Sequence, residues 1–120
     1  MDPSDLQTLI EDATLDYTLG DTDAALAKLG RATEIEPGSF DAWHALAEIN
    51  FSLRRLDAAA AAAEHAAALR PDDLFIHTTL SRIFMEKGDK ATAEKHGARA
   101  KIIGWKDQLK SEEKAEGLKG

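Results

Sequence analysis

The sequence predicts an all-α protein assembled from repeated pairs of helices, and three observations predict it. Residue types recur at a step of 34: Ala25, Ala59 and Ala93 align, as do Ala32, Ala66 and Ala100, and Ile35, Leu69 and Ile103. Leu15, Ile49 and Ile83 form a further column, and the small residues Ala13, Ala47 and Ser81 another. Within a period, apolar residues fall near the helical spacing of 3.6, as at Trp43, Leu46, Ala47, Ile49 and Leu53. Between such stretches stand turn residues at matching places: Pro37 and Pro71 are one period apart, Gly20 and Gly88 two. Self-similarity at this period marks a repeat architecture, in which no unit buries both of its faces alone.

The first helix is predicted near 5–19, opened by a capping box from Ser4 to Gln7. Gly20 can take the left-handed conformation that ends it, and Asp21 can cap the second helix, near 22–35. Ser39 is the N-cap of a third, near 40–53, and a fourth follows near 56–69. Pro71 and the Asp72–Asp73 pair close that unit, because proline disfavours helix at the residue before it. The fifth helix is expected near 74–87, and Gly88-Asp89 repeats the first break before a sixth near 90–103. A seventh, from about 105, is expected to cover the last unit. Trp105 and Leu109, four residues apart, would dock on the sixth helix, and beyond them a charged tail with only Ala115 and Leu118 apolar would fray.

The fourth helix carries LDAAAAAAEHAAAL. Ala59 and Ala66 belong to columns that are alanine in all three periods, and seven residues set them on nearly one face. Helices approach to around 8 Å only where the contact residues are small. These two alanines are therefore expected at tight helix crossings, while Ala60, Ala61 and Ala67 serve as helix formers on a less demanding face.

The bulk numbers are consistent with one domain spanning residues 1–120. Hydrophobic residues make up 43% of the chain, enough for a modest core. With no cysteine, a disulfide framework, a thiolate zinc site and a cysteine nucleophile are all excluded. The start MDPSDLQTLI has neither a basic n-region nor a long apolar run, so a cytoplasmic protein without a membrane segment is expected. Of the net charge of −7, residues 1–41 hold ten acids against Lys28 and Arg31. Such an acidic front disfavours nucleic acid and anionic lipid as partners and would steer a basic one.

The pattern resembles the tetratricopeptide repeat family, whose units run to 34 residues. Unit two (40–73) supplies the motif residues Trp43, Leu46, Ala47, Ala59, Ala66 and Pro71. Unit one (6–39) supplies Ala13, Ala25, Leu29, Ala32 and Pro37, and unit three (74–107) Leu80, Ser81, Phe84, Ala93 and Ala100. The chain departs from the motif at Leu9 and His77, where the first-helix tryptophan belongs, and at Arg54-Arg55, where the glycine break belongs. The proline that should end unit three is Trp105. The resemblance implies a helical-hairpin solenoid of three repeats with a capping helix, and an activity confined to binding other proteins.

It also implies a site. Family ligands lie along the first helix of each unit, which here gives the columns Ile10, His44 and Thr78, then Thr14, Glu48 and Arg82, then Tyr17, Phe51 and Met85, with Phe75 on the leading edge. That stripe suits an extended or helical peptide with apolar anchors. The family's carboxylate clamp for chaperone tails would need Lys, Asn and Arg at Ile10, Thr14, Ala45, Phe75 and Thr79, and no charged donor stands at any of them.

Chemistry finds no support in the sequence. No two of His44, His65, His77 and His96 have the spacing that presents two ligands on one helix face, and the glycine breaks are not a phosphate loop. No catalytic, cofactor or metal residue is assigned. The expected function is an adaptor or scaffold that binds an unidentified protein or peptide, as a monomer. The alternative is a self-associating module, and a metal-binding or enzymatic role, which two histidines converging in the structure would favour, comes last.

Overall fold

Turn residues at matching places in the period divide the described residues into six helices. The structure is a computed structural model that describes residues 3–119, with side chains described from 5 to 117. It contains α1 (Pro3–Thr18), α2 (Thr22–Ile35), α3 (Phe40–Ser52), α4 (Leu56–Leu69), α5 (Leu74–Lys87) and α6 (Lys90–Lys119), and no strand among the described residues. The capping box expected from Ser4 falls on a side chain outside those described.

The junctions show how the period works at the level of single dihedrals. Gly20 and Gly88 adopt φ of 90° and 85°, and the residue one period from each, Arg54, adopts φ of 63°. Asp21 and Asp89 then cap α2 and α6 by accepting the amides of Ala24 and Thr92 at 3.3 and 3.1 Å. Those bonds from Thr92 hold the Asp89 carboxyl below its usual range. At the corresponding Arg55 no side-chain cap bond forms on α4. The middle junction thus pays twice, in a left-handed residue with a Cβ and in an uncapped helix. Restoring the pattern with Arg54→Gly plus Arg55→Asp is expected to raise unfolding stability by about 1–2 kcal/mol, read from urea denaturation midpoints. An unchanged midpoint would show that the arginines are compensated elsewhere.

The chain forms two compact units, Met1–Pro71 and Asp72–Gly120. In the first, α1 packs on α2 and α3 on α4, and α3 also meets α1 and α2. Its core joins fully buried Ala13, Ala25, Leu29, Ala32 and Ala42 to Ile10 and Ile49. Lys28 Nζ lies 2.6 Å from Asp16 Oδ2, tying α2 to α1, and that bond raises the Lys28 pKa. All five buried residues of α4 are alanines: 59, 60, 62, 63 and 66. Ala59 and Ala66 are thus enclosed, and so is Ala60, because the buried arc of α4 is wider than the alanine columns alone suggest.

In the second unit α5 and α6 form a hairpin around Ile76, Leu80, Ile83 and Ala93, of which Ile76, Ile83 and Ala93 have no exposed surface. Small residues set its spacing. Ser81 Oγ donates to the Ala93 carbonyl at 2.8 Å, and a Cβ on Gly97 would come within 3.3 Å of Ser81 Oγ.

No separate seventh helix occurs among the described residues. α6 runs without interruption to Lys119. The position that would hold the unit-ending proline is Trp105, and Gly104 alone is too weak a breaker, since an internal glycine costs a helix only about 1 kcal/mol. Trp105 and Leu109 cannot fold back onto the helix they belong to, and they stand 65% and 42% exposed. Although α6 has 30 residues, no helix among those described is long and apolar enough to cross a membrane.

Candidate interaction surfaces

α1 and α3, the first helices of their units in the repeat, leave a hollow between them. It has a volume of about 230 Å³ and is lined by Thr14, Tyr17, Ala45, Glu48, Ile49 and Ser52. Helix periodicity accounts for the set. Thr14 and Tyr17 are three apart on α1, and Ala45, Glu48, Ile49 and Ser52 follow at steps of three, one and three on α3. The apolar part of the lining is the tyrosine ring with Ala45 and Ile49, and Glu48 supplies the one carboxylate.

The polar groups here are largely committed to the walls. Tyr17 Oη donates to Ser52 Oγ at 2.5 Å, bridging α1 to α3, and Thr14 Oγ1 donates to the Ile10 carbonyl at 3.0 Å. Glu48 keeps a carboxylate oxygen 3.6 Å from His44 Nε2 one turn away, and the His44 ring also lies against Phe40. An apolar side chain can enter the hollow, and a cationic group beside it would meet Glu48.

The predicted residues of the first unit thus separate. Tyr17 and Glu48 share the hollow, and His44 reaches it through Glu48. Phe51 is half-buried on α3 and is not part of the lining. Ile10 is a correction: it is 8% exposed and belongs to the core, because an isoleucine in that column is drawn against the alanines of α2 and α3. Ser52 was missed. It lies 35 residues from Tyr17, one period plus one, a relation that could have paired them.

In the second unit the other four predicted residues fall on α5. Phe75, Thr78, Arg82 and Met85 are all exposed and follow at steps of three, four and three, so they form one stripe along the helix. Phe75 is 68% and Met85 52% exposed. An arginine with two large apolar residues on one helix face is a surface that can hold a partner but does no chemistry by itself.

Two histidines converge in this unit. His77 Nδ1 of α5 and His96 Nδ1 of α6 are 3.1 Å apart, with ring centroids at 5.3 Å. Rings so far apart with nitrogens so near meet edge to edge, and one N–H donates to the other's lone pair. The pocket beside them is lined by Lys95 and Arg99, whose charges oppose a bound cation. No group of three or more His, Cys, Asp or Glu among the described residues could complete a metal set. The geometry therefore fits a hydrogen bond that ties α5 to α6. In the first unit the aromatic positions behave similarly: Trp43 stacks on His65 at 3.9 Å and donates its indole N–H to the Pro37 carbonyl.

A family profile described as tetratricopeptide repeat matches residues 17–83, more than half of the chain. No curated protein matches the sequence significantly. Among solved structures, MamA superposes with a TM-score of 0.83 at 19% identity, covering 87% of this chain and 61% of its own, so this chain spans less than two thirds of that protein. The CopN-Scc3 complex gives 0.84 at 19% identity, covering 99% of this chain and 70% of that one. An O-GlcNAc transferase of Thermobaculum terrenum gives 0.75 at 21% identity, where the match takes up 19% of the enzyme chain. At such identities the likeness is one of fold.

Proposed function

The chain belongs to the tetratricopeptide repeat family, and on that premise we propose that it is a protein–protein interaction module, an adaptor or scaffold without chemistry of its own. The observation that carries this reading is the hollow between α1 and α3, with apolar lining residues and Glu48 as its only charge. Its partner is a segment that offers an apolar anchor beside a lysine or arginine. The ten acids of residues 1–41 favour the same sign of partner, since they draw basic chains during encounter. The exposed α5 stripe, with Phe75, Arg82 and Met85, is a second surface for the same kind of contact.

The absence of chemistry is itself part of the proposal. The transferase resemblance covers a small share of that enzyme, and the Tyr17 and Thr14 hydroxyls of the hollow are held in bonds to Ser52 and to the Ile10 carbonyl rather than aimed at a reacting atom. Affinity capture with the purified chain tests the reading. Tyr17→Ala, and separately Glu48→Lys, are expected to lose at least about tenfold of a specifically captured protein, the equivalent of 1.4 kcal/mol. Circular dichroism checks that each variant is folded, and Glu48→Lys leaves the Tyr17–Ser52 bond in place. Unchanged recovery with both variants would move the binding surface away from the hollow.

A further inference from the structure

Two helix faces are left with leucines and tryptophan in solvent, one on the first helix and one on the last, and their charges are opposite. On α1, Leu15 is 55% exposed, and Leu19, whose amide still bonds to the Leu15 carbonyl, is 73% exposed. Glu11 and Asp12 stand one turn before them, also exposed, and α1 carries four acids and no lysine or arginine. On α6, Ile102, Trp105 and Leu109 follow at steps of three and four and are 45%, 65% and 42% exposed. Lys106 and Lys110 flank that stripe. Between residues 95 and 110 there are five lysines and arginines against Asp107 alone.

The α1 face is one the repeat normally covers. One period on, Ile49 occupies the position of Leu15, and it is buried in the core that α3 shares with α1 and α2. In α1, the first described helix, the same position carries the same kind of side chain and faces water. The α6 stripe lies on the side of the helix away from Ala93, Ala100 and Ile103, the residues it buries. Each face therefore has the apolar row of a helix–helix contact, and each flank carries the charge that the other lacks.

We propose that these faces recognise each other between copies: the Leu15–Leu19 face of α1 in one chain docks on the Ile102–Trp105–Leu109 face of α6 in a second copy. Glu11 and Asp12 then lie against Lys106 and Lys110. The two surfaces differ, so the contact is head-to-tail and leaves each end free to take a further copy, giving a ring if it closes and a filament if it does not. The surfaces are distinct from the α1–α3 hollow, so the two readings stand or fall separately.

A charge-swap experiment tests it. Light scattering after size exclusion is expected to give wild-type masses above that of one chain, rising with concentration at low salt. They should fall towards one chain at about 1 M salt, where the screening length shrinks to about 3 Å. Lys106→Glu plus Lys110→Glu sets acid against acid, and Glu11→Lys plus Asp12→Lys sets base against base, so each variant alone should be a monomer. Mixing the two variants restores both pairings and should restore the higher mass. A wild-type monomer at every concentration in low salt overturns the proposal. So do variants that assemble as the wild type does, or a mixture that stays monomeric while both components are folded by circular dichroism.

Discussion

Replacing Leu29 with alanine is expected to cost about 2–5 kcal/mol of stability. Leu29 has no exposed surface, and its core neighbours Ala13, Ala25, Ala32 and Ala42 have none either. A cavity closes when long side chains around it can swing into new rotamers. The alanine methyls cannot, and only Ile10, Ile49 and the half-buried side chains packed against this core can, so part of the void left by three lost carbons stays open and the dispersion contacts across it are lost. For a unit of this size, each kcal/mol moves the melting temperature by about 4–8 °C, so a drop of roughly 10 °C or more is the expected reading. Leu19→Ala, which removes the same atoms from a side chain 73% exposed, should leave the melting curve of a dilute monomeric sample almost unmoved. Equal effects from the two substitutions would mean that the core is not where the burial pattern places it.

The repeat was legible because its punctuation is chemical. Gly20-Asp21 and Gly88-Asp89 each pair a residue that tolerates positive φ with one whose carboxylate takes up a free amide, and both do so. Arg54 reaches the same left-handed conformation without any residue-level signal. Only its place in the period marks it, since the flanking helices on either side force the turn to be made there. The end of α6 failed for the opposite reason. Periodicity argued for a stop near 103, but no proline enforces one, and Gln108 to Lys114 are mostly good helix formers. Local propensity outlasted the period.

The candidate surface was legible to the extent that a column of the repeat remains a surface. Phe75, Thr78, Arg82 and Met85 fall on one exposed stripe because they share a helix face whatever their neighbours do. Ile10 shared a column with His44 and Thr78, yet it went inward while Thr78 stayed out. Column membership sets the direction of a side chain, and the hydrophobicity of the residue then decides whether the backbone lets it sink. The pairing of Tyr17 with Ser52 and of His77 with His96 depends on how two helices are offset along their axes, which one period of sequence does not state.

Ala59→Leu is expected to lose about 1–3 kcal/mol even though it adds apolar surface to a core position. Transfer of three extra carbons out of water would on its own be stabilising. The sign reverses if there is no room, and α4 supplies the reasons to expect none. Ala59 has no accessible surface, it lies two turns from an equally enclosed Ala66, and every buried residue of the helix is alanine. Within its unit α4 packs on α3, a helix that itself carries Ala42 and Ala47 with no exposed surface, so neither helix has a long side chain to give way at those positions. Three more carbons must force the helices apart or drive the leucine from its rotamers. Ala61→Leu is the control on the same helix, because Ala61 is exposed and helix propensity is nearly unchanged, and it should shift stability by no more than about 0.5 kcal/mol. Urea unfolding of both variants reads the difference directly. If Ala59→Leu unfolded with the wild type, α4 would have slack beside α3, and the alanines would be there for helix propensity rather than for close approach.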